Sequence, residues 1–193
     1  MQTTILVTHE EYFDLLAKSD VKLEYNSGEV IAIAGAQPAH NRICVTLSFA
    51  LESCLGAGKC LVLNNDQLIK VEGCDKYTFP DLVIICKQPI YEKSARGIDA
   101  LENPEIIVEV LSDSTEAYDR SEKFDCYKTI PSFREYVLVS SKKKKVEVIK
   151  KVGEAEWLSR TYTENDEYVT IGECSISLEG IYNKVDLPKT IGF

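Results

Sequence analysis

Two acidic residues sit where acids are costly. Glu109 lies inside the run Ile106-Ile107-Val108-Glu109-Val110-Leu111, which reads as a buried β-strand. A carboxylate there costs several kcal/mol unless a cation or hydrogen-bond donors compensate it. Asp81 raises the same question, since it follows Phe79-Pro80 and precedes Leu82-Val83-Ile84-Ile85, another run of core character. If the two strands are neighbours, Asp81 and Glu109 can place oxygens around one divalent ion, with the Val110 carbonyl as a further ligand. Mg²⁺ or Mn²⁺ suits such an oxygen set. A hard ion held by few carboxylates keeps waters, one of which can be ionised to attack a phosphodiester. The competing reading places each acid at a strand edge, in a salt bridge or a loop cap.

Asp119 and Lys123 stand four residues apart on an expected helix, with the acid first, the favourable order for a surface ion pair. The alternative is that the Lys123 ammonium reaches a scissile phosphate or an attacking water. His40 opens another expected helix and is read either as a base or as a helix-start polar group. His9 lies within a capping sequence and has no partner visible in the sequence. Lys142-Lys143-Lys144-Lys145 reads as a solvated hairpin tip, although it is the concentrated basic run available to contact phosphate. Trp157 and the ten tyrosines are assigned to packing, because they form no ordered stacking platform.

The elements that must hold these groups follow from periodicity and turn chemistry. Thr8-His9-Glu10-Glu11 has capping-box form and starts a helix running to about Lys18. Lys22 to Tyr25 and Glu29 to Ile33 flank Asn26-Ser27-Gly28, a hairpin signal. Ile43, Leu47, Ala50, Leu51 and Cys54 recur at helical spacing between Pro38 and Leu55, and Gly56 follows as a stop. Short strands are expected over Cys60 to Leu63 and Gln67 to Val71, then a longer one over Lys76 to Cys86, then a long loop from Lys87 to Asn103. Glu105 to Leu111 is a strand, Thr115 to Thr129 a helix closed by Pro131, and Arg134 to Val139 a strand. Val146 to Val152, Trp157 to Tyr162 and Tyr168 to Ile171 suggest a β-meander. Strands interleaved with helices make an α/β sheet with helix-covered faces the natural architecture, in one domain over residues 1–193.

Composition narrows the class. Apolar residues make up 45% of the 193 and charged residues 27%, enough to build a core. A net charge of −9 opposes non-specific attraction to polyanions and speaks against a protein that coats nucleic acid. It leaves nucleases open, since these gather carboxylates around cations. Met1 to Val7 carries no leader signature and no run reaches about 18 apolar residues, so a cytoplasmic protein without membrane association is expected. Seven scattered cysteines without a CxxC pair are then read as reduced, mostly buried thiols rather than as a zinc site.

Phe79-Pro80-Asp81, Pro104 to Ser112 with its Glu109, then Asp119, Lys123, Tyr127 and Glu135-Tyr136 form an ordered series. Together with the Leu23 to Glu29 hairpin and His40, the series resembles the Uma-type restriction endonuclease family over roughly residues 8 to 185. The resemblance implies the PD-(D/E)XK nuclease fold: a mixed β-sheet flanked by helices, with an N-terminal helix and hairpin. It implies Asp81 and Glu109 as catalytic metal ligands, Glu24 as an acid completing the shell, Mg²⁺ or Mn²⁺ as cofactor, DNA as substrate and a homodimer. Leu111 stands where the superfamily's usual lysine would be, and Lys123 on the following helix is the position that matches instead. That departure keeps a second reading open, a catalytically silent nuclease-like domain that binds nucleic acid or protein.

Overall fold

A computed structural model describes residues 6–55, 60–113 and 115–188. Helix α1 (His9–Leu16) begins with the expected capping box: the Glu11 amide donates to the Thr8 hydroxyl, and the Thr8 amide donates to the Glu11 carboxylate. It ends two residues before Lys18. Strands β1 (Leu23–Asn26) and β2 (Glu29–Ala32) form the hairpin, whose turn residues Ser27 and Gly28 both adopt positive φ. Helix α2 (Pro38–Leu55) has the predicted bounds and buries Ile43, Leu47 and Leu51; the expected stop at Gly56 lies outside the described residues.

Strands β3 (Leu61–Asn64) and β4 (Ile69–Val71) lead through a 3-10 turn at Glu72–Cys74 into β5 (Lys76–Thr78) and β6 (Leu82–Ile85). The sequence suggests one strand over Lys76 to Cys86. The structure breaks it at Phe79-Pro80-Asp81, where the chain crosses from one sheet to another. Pro80 has no amide to offer a ladder, which suits the crossing. Two short strands, β7 (Tyr91–Glu92) and β8 (Ala100–Leu101), occupy the expected loop. Then come β9 (Ile106–Leu111), α3 (Glu116–Tyr118), a π-helical turn at Asp119–Lys123, and α4 (Phe124–Tyr127). The chain finishes with β10 (Glu135–Ser140), β11 (Lys145–Lys151), β12 (Trp157–Thr163), β13 (Tyr168–Ile171), β14 (Cys174–Ser177) and α5 (Leu178–Ile181).

One mixed sheet has the order β2-β1-β5-β4-β8-β7 and the other β12-β11-β10-β9-β6-β3. In the second, β9 and β10 run parallel while β6 is antiparallel to β9. Of the expected meander, β11 and β12 pair with each other, β11 also pairing with β10, but β13 leaves it and pairs with β14 as a separate ladder. Because side chains alternate along a strand, β9 presents Val108 and Val110 to α2 and the C-terminal ladder. Ile107 and Leu111 point the other way, towards Tyr127, Phe133 and Tyr136. Glu109 shares that second parity, so the strand turns it towards the segment that contains Lys123.

The cysteine reading requires correction. Cys54 pairs with Cys174, Cys60 with Cys86 and Cys74 with Cys126, leaving Cys44 as the free thiol. The partners lie 120, 26 and 52 residues apart, separations that spacing in the sequence does not connect.

Candidate active site

The crossing at Phe79-Pro80-Asp81 delivers Asp81 to the position just before β6. There the antiparallel register pairs Leu82 with Val108, so one further step sets Asp81 opposite Glu109. The Asp81 Oδ2 accepts the Val110 amide at 2.7 Å and lies 3.1 Å from His40 Nε2 on α2. The sequence offered the Val110 carbonyl as a ligand; it is the amide of Val110 that meets Asp81. Glu109 Oε1 faces Lys123 Nζ at 2.8 Å and accepts from the Tyr127 hydroxyl at 3.0 Å. That hydroxyl is also 3.1 Å from Thr78 Oγ1, which ties the end of β5 to the same cluster.

The wide turn at Asp119–Lys123 brings both of its ends inward. Asp119 and Lys123 are 3% and 7% exposed and 3.4 Å apart, so the expected surface ion pair is a buried one. Tyr136 donates to the Asp119 carbonyl at 3.0 Å and secures the turn against β10.

Electrostatics follow from this burial. Desolvation pushes the Glu109 carboxyl up to about 8, with Asp81 and Asp119 adding to the rise and Lys123 opposing it. Burial works to lower Lys123, but the carboxylates of Glu109, Glu24 and Asp119 outweigh it and hold the ammonium well above its ordinary value. Burial also raises the Cys44 thiol, reinforced by Asp81 and Glu109.

Asp81, Glu109 and Lys123 are thus brought together from a crossing, a central strand and a helical turn. Glu24 is turned to the backbone: its Oε1 accepts the Phe79 amide at 2.8 Å, fixing the segment that carries Asp81. His9, without a visible partner in the sequence, meets Asp75 at 2.6 Å on the other sheet. The lysine run at the β10–β11 turn is partly committed, with Lys142 paired to Asp113 and Lys144 to Glu179.

Lys76 is a further residue of the site that its local sequence does not single out. It is 8% exposed, two positions before Thr78 on β5, and donates to the Tyr118 hydroxyl at 3.2 Å. Its ammonium also lies 5.3 Å from the centre of that ring. Among the described residues no carboxylate lies within ion-pair distance of it. The signal available was alternation, since Lys76 and Thr78 share one face of their strand.

A hard divalent ion fits the donors present. Glu109 Oε2 and Asp81 Oδ1 receive no hydrogen bond among the described residues. The side chains of Glu109 and Asp81 are 6% and 13% exposed.

Mixed sheets flanked by helices in this arrangement make a nuclease-like fold. A crystal structure of a putative nuclease belonging to DUF820, from Anabaena variabilis ATCC 29413, shares it with a TM-score of 0.71. That match covers 91% of this chain and 97% of the other at 17% identity, so it speaks to the fold alone. The chain belongs to the Uma2 family, described as "Putative restriction endonuclease", whose family pattern matches residues 9–178. The resemblance seen in the sequence is therefore borne out. Two proteins of Synechocystis sp. (strain ATCC 27184 / PCC 6803 / Kazusa) are similar along most of their length. The uncharacterized protein sll1609 is 34% identical over 156 residues, covering 81% of this chain and 87% of its own. The uncharacterized protein slr1290 is 35% identical over 175 residues, covering 90% of each. No described helix is long and apolar enough to cross a membrane.

Proposed function

We propose that this protein is a divalent-metal-dependent endonuclease that hydrolyses DNA phosphodiester bonds. The observation that carries the reading is the buried contact between Glu109 and Lys123, made beside Asp81 at the mouth of two adjoining strands. A structural ion pair has no need of a second acid across the register with a free oxygen.

Asp81 and Glu109 would hold Mg²⁺ or Mn²⁺, with Glu24 completing the negative environment from the neighbouring sheet. When bound, the ion supplies an activated water and neutralises charge developing at phosphorus. Lys123 presents a compact cation to a non-bridging phosphate oxygen, the work usually done by a lysine on the strand itself. Tyr127 and Thr78 orient Glu109, and His40 orients Asp81. Lys76, which meets the Tyr118 phenol, contacts a flanking phosphate. Cutting both strands of a duplex calls for two copies of the chain, so a homodimer is the expected form.

The test is incubation of supercoiled plasmid with the purified protein in Mg²⁺, Mn²⁺ or EDTA, with Asp81→Ala and Glu109→Ala alongside. Metal-dependent nicking or linearisation that both variants lose is the expected result. Equal cleavage by all three proteins overturns the proposed site. Absence of cleavage, together with absence of divalent-ion binding, favours the silent nuclease-like domain, a reading supported by the net charge of −9.

A further inference from the structure

A second group of ligand atoms adjoins the acidic pair and differs from it in chemistry. His40 and Cys44 lie one helical turn apart on α2 and project towards Asp81. Cys44 Sγ is 3.6 Å from His40 Nδ1, and His40 Nε2 is 3.1 Å from Asp81 Oδ2. One ligand atom from each residue lies within 4.8 Å of the others. Side chains of the donors are sheltered without being sealed, with His40 and Asp81 both 13% exposed.

The geometry points to a binding site for a thiophilic divalent ion of the Zn²⁺ class at His40, Cys44 and Asp81. A tetrahedral zinc site takes sulfur at about 2.3 Å and nitrogen or oxygen at about 2.0–2.2 Å, which sets neighbouring ligand atoms roughly 3.5 Å apart. The thiol and the carboxylate meet opposite nitrogens of the imidazole, and one atom from each residue lies within 4.8 Å of the others, so the ring presents a single nitrogen to an ion set between Cys44 and Asp81. Three protein ligands leave a fourth position for water. Thiolate and imidazole favour Zn²⁺ and Co²⁺ over Mg²⁺, which distinguishes this site from the all-oxygen pair of Asp81 and Glu109. In the metal-free protein the imidazole bridges the thiol and the carboxylate and keeps the three donors in place. Binding here stands on this geometry and is independent of whether the chain cleaves DNA.

The chain itself supplies a clean readout. The other six cysteines are paired, so a thiolate bound to metal can come only from Cys44. Titration of the disulfide-intact protein with Co²⁺ should give a near-ultraviolet thiolate-to-cobalt charge-transfer band at one equivalent, abolished when Zn²⁺ is added. Cys44→Ser should lose the band, and His40→Gln should lower Zn²⁺ affinity by more than about tenfold. In the wild-type protein, Zn²⁺ should slow alkylation of the single free thiol, a measurement that needs no variant to fold. No band with the wild type, a band that persists in Cys44→Ser, or an alkylation rate indifferent to Zn²⁺ would each overturn the site. Plasmid cleavage enters none of these readouts, so their failure and that of the nuclease reading are separate results.

Discussion

Lys123 Nζ stands 2.8 Å from Glu109 Oε1, although one residue belongs to a helical turn and the other to the middle of a strand. Each is more than nine-tenths buried, so each is the other's main compensation for lost hydration. Removing one partner of such a pair leaves an uncompensated charge, and the typical cost is about 3–5 kcal/mol. Lys123→Ala should therefore lose stability on that scale in urea unfolding. Lys123→Met combined with Glu109→Gln and Asp119→Asn should recover most of the loss, because no charge of this buried cluster then remains. Recovery no better than any single change would mean that packing, not charge, couples these positions.

Tyr127 tests the next layer. Its hydroxyl lies within hydrogen-bond distance of both Glu109 and Thr78, and the residue is fully buried. Tyr127→Phe keeps the ring and removes the donor, at an expected cost of about 1–3 kcal/mol for stranding buried partners. If the hydroxyl also orients Glu109, the variant should bind Mn²⁺ more weakly at a temperature where it is fully folded. Unchanged Mn²⁺ affinity would limit Tyr127 to packing.

Much of this site was legible from single segments. Glu109 was conspicuous as a charge in an apolar strand, Asp81 as an acid after a proline, and α2 was defined by its periodicity. What escaped reading was made by tertiary contact. Lys76 looks like an ordinary strand lysine until Tyr118 arrives from a helix 42 residues later. The expected long strand failed because alternation continues smoothly through Thr78 and Leu82 while the chain changes sheets between them. The helix over Thr115 to Thr129 was visible, but not its π-helical turn, since nothing in local propensity separates a π turn from an α turn. Disulfide partners were hidden for the same reason, as pairing is decided by the fold and not by spacing.

Arg120 links the turn to the sheet, bonding Glu116 at 2.8 Å and Glu147 at 2.7 Å. Burial alone would raise the Glu147 carboxyl, but hydrogen bonds from Arg120 and Ser159 outweigh it and hold it below its ordinary value of 4.5. A carboxyl lowered on folding contributes stability above its unfolded value and loses that contribution as the pH falls through its folded value. Wild type should therefore melt higher than Glu147→Gln at pH 7, with the gap closing as the pH falls below the ordinary value of 4.5. A gap of equal size at both ends would assign the effect to shape rather than to charge.

The Cys54–Cys174 bond spans 120 residues and fastens α2 to the C-terminal ladder. Closing a loop of that order restricts the unfolded chain by about 4–5 kcal/mol in the chain-entropy account. Cys54→Ala with Cys174→Ala should lower the melting temperature by roughly 10–20 °C, and the double variant should respond less to reductant than the wild type, keeping only the response due to Cys60–Cys86 and Cys74–Cys126. Equal sensitivity to reductant in both proteins would shift the stabilisation to Cys60–Cys86 or Cys74–Cys126.

Lys76 separates phosphate binding from structural pairing. Among the described residues the Lys76 ammonium is paired with a phenol and not with a carboxylate, and Tyr118 holds it next to the turn that carries Asp119 and Lys123. Lys76→Met preserves most of the side-chain volume and removes the charge. If this ammonium contacts a DNA phosphate, binding to duplex should weaken at every sequence tested. The slope of log affinity against log salt should then fall by about one. The measurement is fluorescence anisotropy across a salt series in Ca²⁺, chosen to occupy a hard-ion site without supporting turnover. A weaker but equally salt-sensitive complex would mean that Lys76 supports the fold of the site without touching the nucleic acid. Loss of Mn²⁺ affinity in the same variant would identify it as part of the cluster that holds the carboxylates in place.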